Sequence, residues 1–136
     1  YKIIFEAFAG KFDKADEPYI FHLERVAAPF RDDQFLFVAA LLHDLVEDCP
    51  EWNFDKLTEV GFHRRIVLAV EALTKQGDED YQSFIHRVSE NEDARKIKIS
   101  DLKDNMNLTR LKRKLTKSDL KRVEKYHKAY LLLSRF

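Results

Sequence analysis

The segment DQFLFVAALLHDLVEDCP, residues 33–50, decides how this chain is read. Phe35 to Leu42 are apolar without interruption, so a helix here has no polar face and belongs inside a protein. Asp32 or Asp33 supplies the N-cap. Pro50 ends the helix, because the residue before a proline disfavours helical dihedrals. His43, Asp44, Glu47 and Asp48 then crowd the final two turns. His43 with Glu47, and Asp44 with Asp48, have the four-residue spacing that stacks side chains on a helix surface. Three carboxylates at a helix C-terminus oppose its dipole, at a cost of roughly 0.3–1 kcal/mol each. Acids at a helix end can simply be solvated, but these follow a buried run with no amphipathic transition. A cation is expected beside them: a metal ion, a Lys/Arg cluster, or both.

The rest of the chain has the same character. Its 136 residues suit one domain, with 45% hydrophobic and 35% charged side chains. Pro18, Pro29, Pro50, Gly61 and Gly77 fall between segments of helical spacing, and no alternating run argues for a sheet. Helices are expected at about 2–11, 18–28, 33–48, 53–60, 62–74, 79–90, 93–110 and 117–134. Pro18 is expected in the first turn of the second, and Leu120, Val123, Tyr130 and Leu131 should line the last. The fold class is all-α, a single-domain bundle of about seven or eight helices covering 1–136.

Lys+Arg and Asp+Glu both total 24, so the formal charge is zero. That excludes nucleic-acid binding through overall basicity, though not a local basic patch. No run approaches the roughly 18 apolar residues of a membrane helix. Cys49 has no partner for an internal disulfide, which fits a reducing, cytoplasmic setting as an expectation.

Histidine plus carboxylate, with further nitrogen or oxygen ligands from elsewhere, is the usual composition of a divalent metal site. His22 in PYIFHLERVA (18–27) is the nearest candidate, although a lone histidine on such a helix is more often structural. In IKISDLKDNMNL (97–108), Lys98, Asp101 and Asn105 share one face beside the apolar stripe Ile99, Leu102 and Met106. That places an acid next to the core with Lys and Asn on its flanks, where they could contact phosphate or ribose. His63, His86 and His127 read as surface or structural, and the phenylalanines as core. The basic run Lys112, Arg113, Lys114 and Lys117 reads as a solvated helix end that could steer an anion.

The order His22, His43–Asp44, Asp101 resembles the metal-dependent phosphohydrolases of the HD-domain superfamily. The segments PYIFHLERVA, VAALLHDLVEDC (38–49), VEALTK (70–75) and KIKISDLKDNM (96–106) are similar to the hydrolase domain of the RelA/SpoT alarmone enzymes and to the small stand-alone alarmone hydrolases. The likeness spans about residues 18–110. It implies an HD-type helical bundle and metal ligands at His22, His43, Asp44 and Asp101. It also implies Mn²⁺ as cofactor and a catalytic pair at Glu47 and Asp48, which would orient the attacking water and manage its proton. The implied substrate is a small-molecule nucleotide, guanosine 3′,5′-bis(diphosphate), losing its 3′-diphosphate as pyrophosphate, with neither nucleic acid nor membrane as partner.

Two departures bear on that substrate. Leu23 follows His22 where the family usually has proline. In GKFDKADEPY (10–19) the family's usual Gln and Arg are missing, leaving Lys11 and Lys14 as the nearby cations and Asp13 near the position of the Arg. Lys14 is therefore the candidate contact in that loop. The departures leave open an HD-fold nucleotidase or phosphohydrolase acting on another nucleotide, and a non-catalytic nucleotide-binding regulatory domain.

Overall fold

Helix boundaries in this chain are set by caps and glycines. Asn53, Asp80, Asn91 and Thr116 each use a side-chain oxygen to accept a backbone N–H of the first turn that follows, satisfying donors that would otherwise lack a partner. Gly61 adopts φ 110° and ends one helix in the left-handed conformation that L side chains avoid. The computed structural model describes residues 1–136 and contains no strand. Its helices are α1 (Lys2–Ala7), α2 (Tyr19–Ala27), α3 (Gln34–Leu42), α4 (Leu45–Asp48), α5 (Phe54–Val60), α6 (Arg64–Ala72), α7 (Tyr81–Ser89), α8 (Glu92–Asn105) and α9 (Lys117–Leu133). Short 3₁₀ turns occupy Ala28–Phe30 and Leu108–Arg110. None of the helices is long and apolar enough to cross a membrane.

The all-α bundle is as expected, with α3 and α4 occupying the span read as one helix. α3 is sandwiched between α2 and α6, and α8 packs against α2, α7 and α9. One continuous core joins Leu23 and Val26 of α2, Ala39 to Leu42 of α3, Val70 of α6, Val88 of α7 and Ile97 and Leu102 of α8. Each fully buried Leu, Ile or Val in it contributes on the order of 1.5–3 kcal/mol.

Several expectations need correction. α1 stops at Ala7, and the chain then folds into a loop closed by the bridge between Phe12 and Pro18. Pro18 is the N-cap of α2, with ψ 131°, and lies before its first turn. α8 ends at Asn105, and a separate 3₁₀ turn follows it. In α9, Leu120 and Leu131 are exposed, and Asp119, Ala129 and Leu133 face inward. Asp119 turns this register, since Arg113 and Arg122 both hold its carboxylate. Arg113, itself exposed, therefore pairs with a buried carboxylate and is not only part of a solvated run. Among the phenylalanines only Phe8 and Phe84 are fully buried, while Phe5, Phe12, Phe21 and Phe136 are exposed.

Candidate metal centre

The expected continuous helix over 33–48 is broken at His43 and Asp44. His43 N–H bonds to Ala40 O at 3.4 Å, a tightened turn, and Asp44 sits at φ −102°, ψ 1° before α4 begins. Consecutive residues on an unbroken helix point roughly 100° apart. Neighbouring His43 and Asp44 nevertheless reach one point, with His43 Nε2 3.1 Å from Asp44 Oδ2. Leu41, Leu42, Leu45 and Cys49 are buried on both sides of the break and hold it in place.

Opposite it stand His22 of α2 and Asp101 of α8. One ligand atom from each of His22, His43, Asp44 and Asp101 lies within 4.8 Å of all the others. His22 Nε2 is 3.0 Å from Asp101 Oδ1 and 3.8 Å from Asp44 Oδ2. His43 Nε2 is 3.2 Å from the same Asp101 oxygen and 3.1 Å from Asp44 Oδ2. Both histidines are almost wholly buried.

The other ring nitrogens fix the tautomers. His43 Nδ1 lies 2.6 Å from Ala40 O; a carbonyl only accepts, so the hydrogen is on Nδ1. His22 Nδ1 lies 2.6 Å from Asp104 Oδ2 and donates to that carboxylate. In the neutral rings both Nε2 lone pairs therefore face Asp44 and Asp101, the pattern that orients metal-ligating histidines. Two imidazole lone pairs and two carboxylate oxygens converging out of water are suited to a divalent cation, and these four residues could hold one.

Without a metal, protons take its place. Burial alone would lower the His22 pKa, but hydrogen bonds to Asp101 and Asp104 outweigh it and raise the value to about 9. For His43 burial is likewise overcome, by Asp44 and Asp101, and its pKa lies well above the usual histidine value. Asp101 is held far below the carboxylate range against its burial, chiefly by Lys98 and His43.

Asp104, absent from the sequence reading, supports the site from behind. Besides His22 it binds Arg25, whose Nε lies 2.7 Å from Oδ1. Burial raises its pKa, yet the His22 and Arg25 hydrogen bonds bring it down to about 2. Tyr19 was also missed; its hydroxyl donates to Asp44 Oδ2 at 2.5 Å. The sequence signal for Tyr19 was its three-residue spacing from His22. Asp104 has the same spacing from Asp101, but its partner His22 lies 82 residues away.

The remaining candidates surround the cluster in three cavities that share Tyr19. Glu47, Lys98 and Asn105 line one of about 290 Å³ with Asp44 and Asp101. Lys98 Nζ donates to Asp101 Oδ2 at 2.9 Å and Asn105 Nδ2 to Oδ1 at 3.1 Å. Asp48 lines a different groove, with Phe8, Lys11, Phe12 and Tyr19. Loss of hydration and the Asp44 charge raise the pKa of Glu47, and the same effects with Glu47 itself bring Asp48 to about 6. Lys14 lines the third cavity, about 420 Å³, with His22, Asn105, Arg110 and Arg122.

His63 caps α6 by accepting from Arg65 N–H, a structural role as expected. His86 is exposed, with Glu90 3.7 Å from its Nε2. No protein-family model matches this sequence.

Proposed function

We propose that this chain is a metal-dependent phosphohydrolase of the HD type, acting as a guanosine 3′,5′-bis(diphosphate) 3′-pyrophosphohydrolase. The observation that carries the reading is the convergence of His22 Nε2, His43 Nε2, Asp44 and Asp101 with both Nδ1 atoms already engaged. A divalent cation held by these four, Mn²⁺ on the family resemblance, would acidify water and neutralise charge on the phosphoryl oxygens.

The chain's own residues supply the rest. Glu47 shares the cavity of Asp44 and Asp101, and its raised proton affinity suits it to orient the attacking water and take its proton. Asp48, its pKa raised to about 6 by burial and the Asp44 charge, is suited to pass a proton near neutral pH from the adjoining groove. Lys98 and Asn105 already bind Asp101 and are placed to contact the phosphoryl group or ribose. In the adjoining cavity Arg110 and Arg122 are paired with Asp13 and Asp119, so Lys14 is the cation there that can meet an anionic nucleotide. Water adds to the phosphorus of the 3′-diphosphate and the 3′-oxygen leaves with a proton, giving guanosine 5′-diphosphate and pyrophosphate.

One observation favours a second reading, hydrolysis of a different nucleotide. Asp13, near where the resemblance would put an arginine, accepts from Arg110 at 2.9 Å and from the backbone N–H groups of Ala15 and Glu17. The loop thus presents a neutralised acid in place of a free guanidinium.

Metal analysis of the purified protein, then a nucleotide panel scored for pyrophosphate against phosphate release, tests both readings. Pyrophosphate from the guanosine bis-diphosphate supports the first, and phosphate from other nucleotides the second. No metal and no turnover with added Mn²⁺ would overturn both. Glu47→Gln is expected to keep the metal and lose turnover by roughly 100-fold or more; full activity in that variant would remove Glu47 from the mechanism.

A further inference from the structure

The 290 Å³ cavity beside Asp101 has a second wall, of which the sequence motifs include only Lys75 and the proposed mechanism uses nothing. It is formed by Tyr81 at the first turn of α7, with Lys75, Lys125 and Tyr126 around it. The Tyr81 hydroxyl oxygen is buried and no protein group hydrogen-bonds to it. Nearly all buried polar groups in folded proteins have a partner, so this one calls for an explanation.

Its ring is firmly placed. Asp80 caps α7 by accepting from Ser83 N–H at 2.7 Å, which fixes the turn bearing Tyr81. The ring meets Phe84 at 6.1 Å, edge to face, and Tyr126 at 6.4 Å. Lys125 Nζ sits 4.5 Å from the centre of the Tyr81 ring, and Lys98 Nζ 5.3 Å from that of Phe84. Aromatic faces thus hold two ammonium groups at this side of the cavity. Burial pushes the Tyr81 pKa up to about 12, so the hydroxyl keeps its hydrogen at neutral pH.

We propose that Tyr81 is a phosphate-contacting residue, its hydroxyl donating to an oxygen of a phosphoryl group bound between Lys98 and Lys125. The chemistry of this wall, one free O–H donor among lysines, suits a phosphate oxyanion. Asp44, Glu47 and Asp101 line the same cavity, with Asp101 bonded to Lys98, and suit a cation. The choice of phosphate as ligand rests on the phosphohydrolase reading, and the hydroxyl's lack of a protein partner does not.

Tyr81→Phe removes the hydroxyl and keeps the ring contacts. Thermal midpoints of wild type and variant are measured across an inorganic phosphate titration, with and without Mn²⁺. Without phosphate, the variant midpoint is expected to equal or exceed that of wild type, because no protein hydrogen bond is lost. With phosphate, wild type is expected to rise, and the variant to need roughly tenfold or more phosphate for the same rise. A wild type indifferent to phosphate, an identical phosphate response in both proteins, or a variant destabilised without ligand would each overturn the proposal. A Tyr81-dependent phosphate response in a protein that turns over no nucleotide would keep this contact while ending the hydrolase reading.

Discussion

Two carboxylates in this molecule are almost completely shielded from water, Asp101 and Asp119, and they are neutralised in opposite ways. Asp119 binds two guanidinium groups, Arg113 at 2.7 Å and Arg122, and closes a capping box with Thr116 at the start of α9. Guanidinium groups do not lose their protons in proteins, so this neutralisation is permanent. Asp101 has one lysine, but it also faces the Nε2 atoms of His22 and His43 and the second acid Asp44. Imidazoles release their protons within reach of neutral pH and expose lone pairs when they do. One cluster closes a fold. The other could exchange its imidazole protons for a divalent cation, and that difference locates the candidate site more firmly than burial does.

The most severe way to break the comparison is to remove each acid. Asp101→Asn is expected to abolish stoichiometric metal binding and lower turnover by roughly a thousandfold or more. Asp119→Asn should leave metal content unchanged and lower the thermal midpoint, because Arg113 and Arg122 lose their shared acceptor. Metal loss in both variants, measured by elemental analysis, would mean that the two clusters are not separate in function.

pH should separate them next, in metal-free protein. His22 has its pKa raised to about 9, so its contribution to stability is complete below about 6.5, the unfolded value, and disappears as pH climbs through 9. Asp119 has its pKa lowered, so its contribution is complete above about 4 and disappears as pH falls below that. Thermal midpoints are thus expected to decline at both ends of the range. Saturating Mn²⁺ should flatten the alkaline decline alone, since the metal replaces the imidazole protons. An alkaline decline unchanged by metal would detach His22 from metal binding.

The same contrast explains what could be read from the sequence. The buried run Phe35 to Leu42, the end of α4 before Pro50 and the inward face of Asp101 follow from local patterning. The four candidate ligands could be named because they recur in a known order. The break at His43 carries no Gly or Pro to announce it; it follows from packing Leu42 and Leu45 into the core on either side. Asp104 and the inward register of Asp119 depend on partners that local spacing does not identify as such, His22 and Arg25 for one and Arg113 for the other. Glu47 and Asp48 are adjacent in sequence yet line different cavities, both of which Tyr19 also lines.

The smallest expected effects come from the groups that support each acid from behind. Asp104 accepts the Nδ1 hydrogen of His22, directing Nε2 at the cluster. Asp104→Asn keeps the shape but weakens that acceptor, and metal affinity is expected to fall roughly 10- to 100-fold, as for other outer partners of ligating histidines. Thr116 accepts from Asp119 N–H at 3.1 Å as the N-cap of α9. Thr116→Ala is expected to cost about 1 kcal/mol of stability with no change in metal affinity. Calorimetric Mn²⁺ titration and denaturant unfolding of both variants give the two readouts. An Asp104→Asn protein that binds metal like wild type would show that His22 does not need its tautomer fixed, and would weaken its place among the ligands. A Thr116→Ala protein with impaired metal binding would extend the exchangeable site into α9, through Arg122 and the cavity it shares with His22.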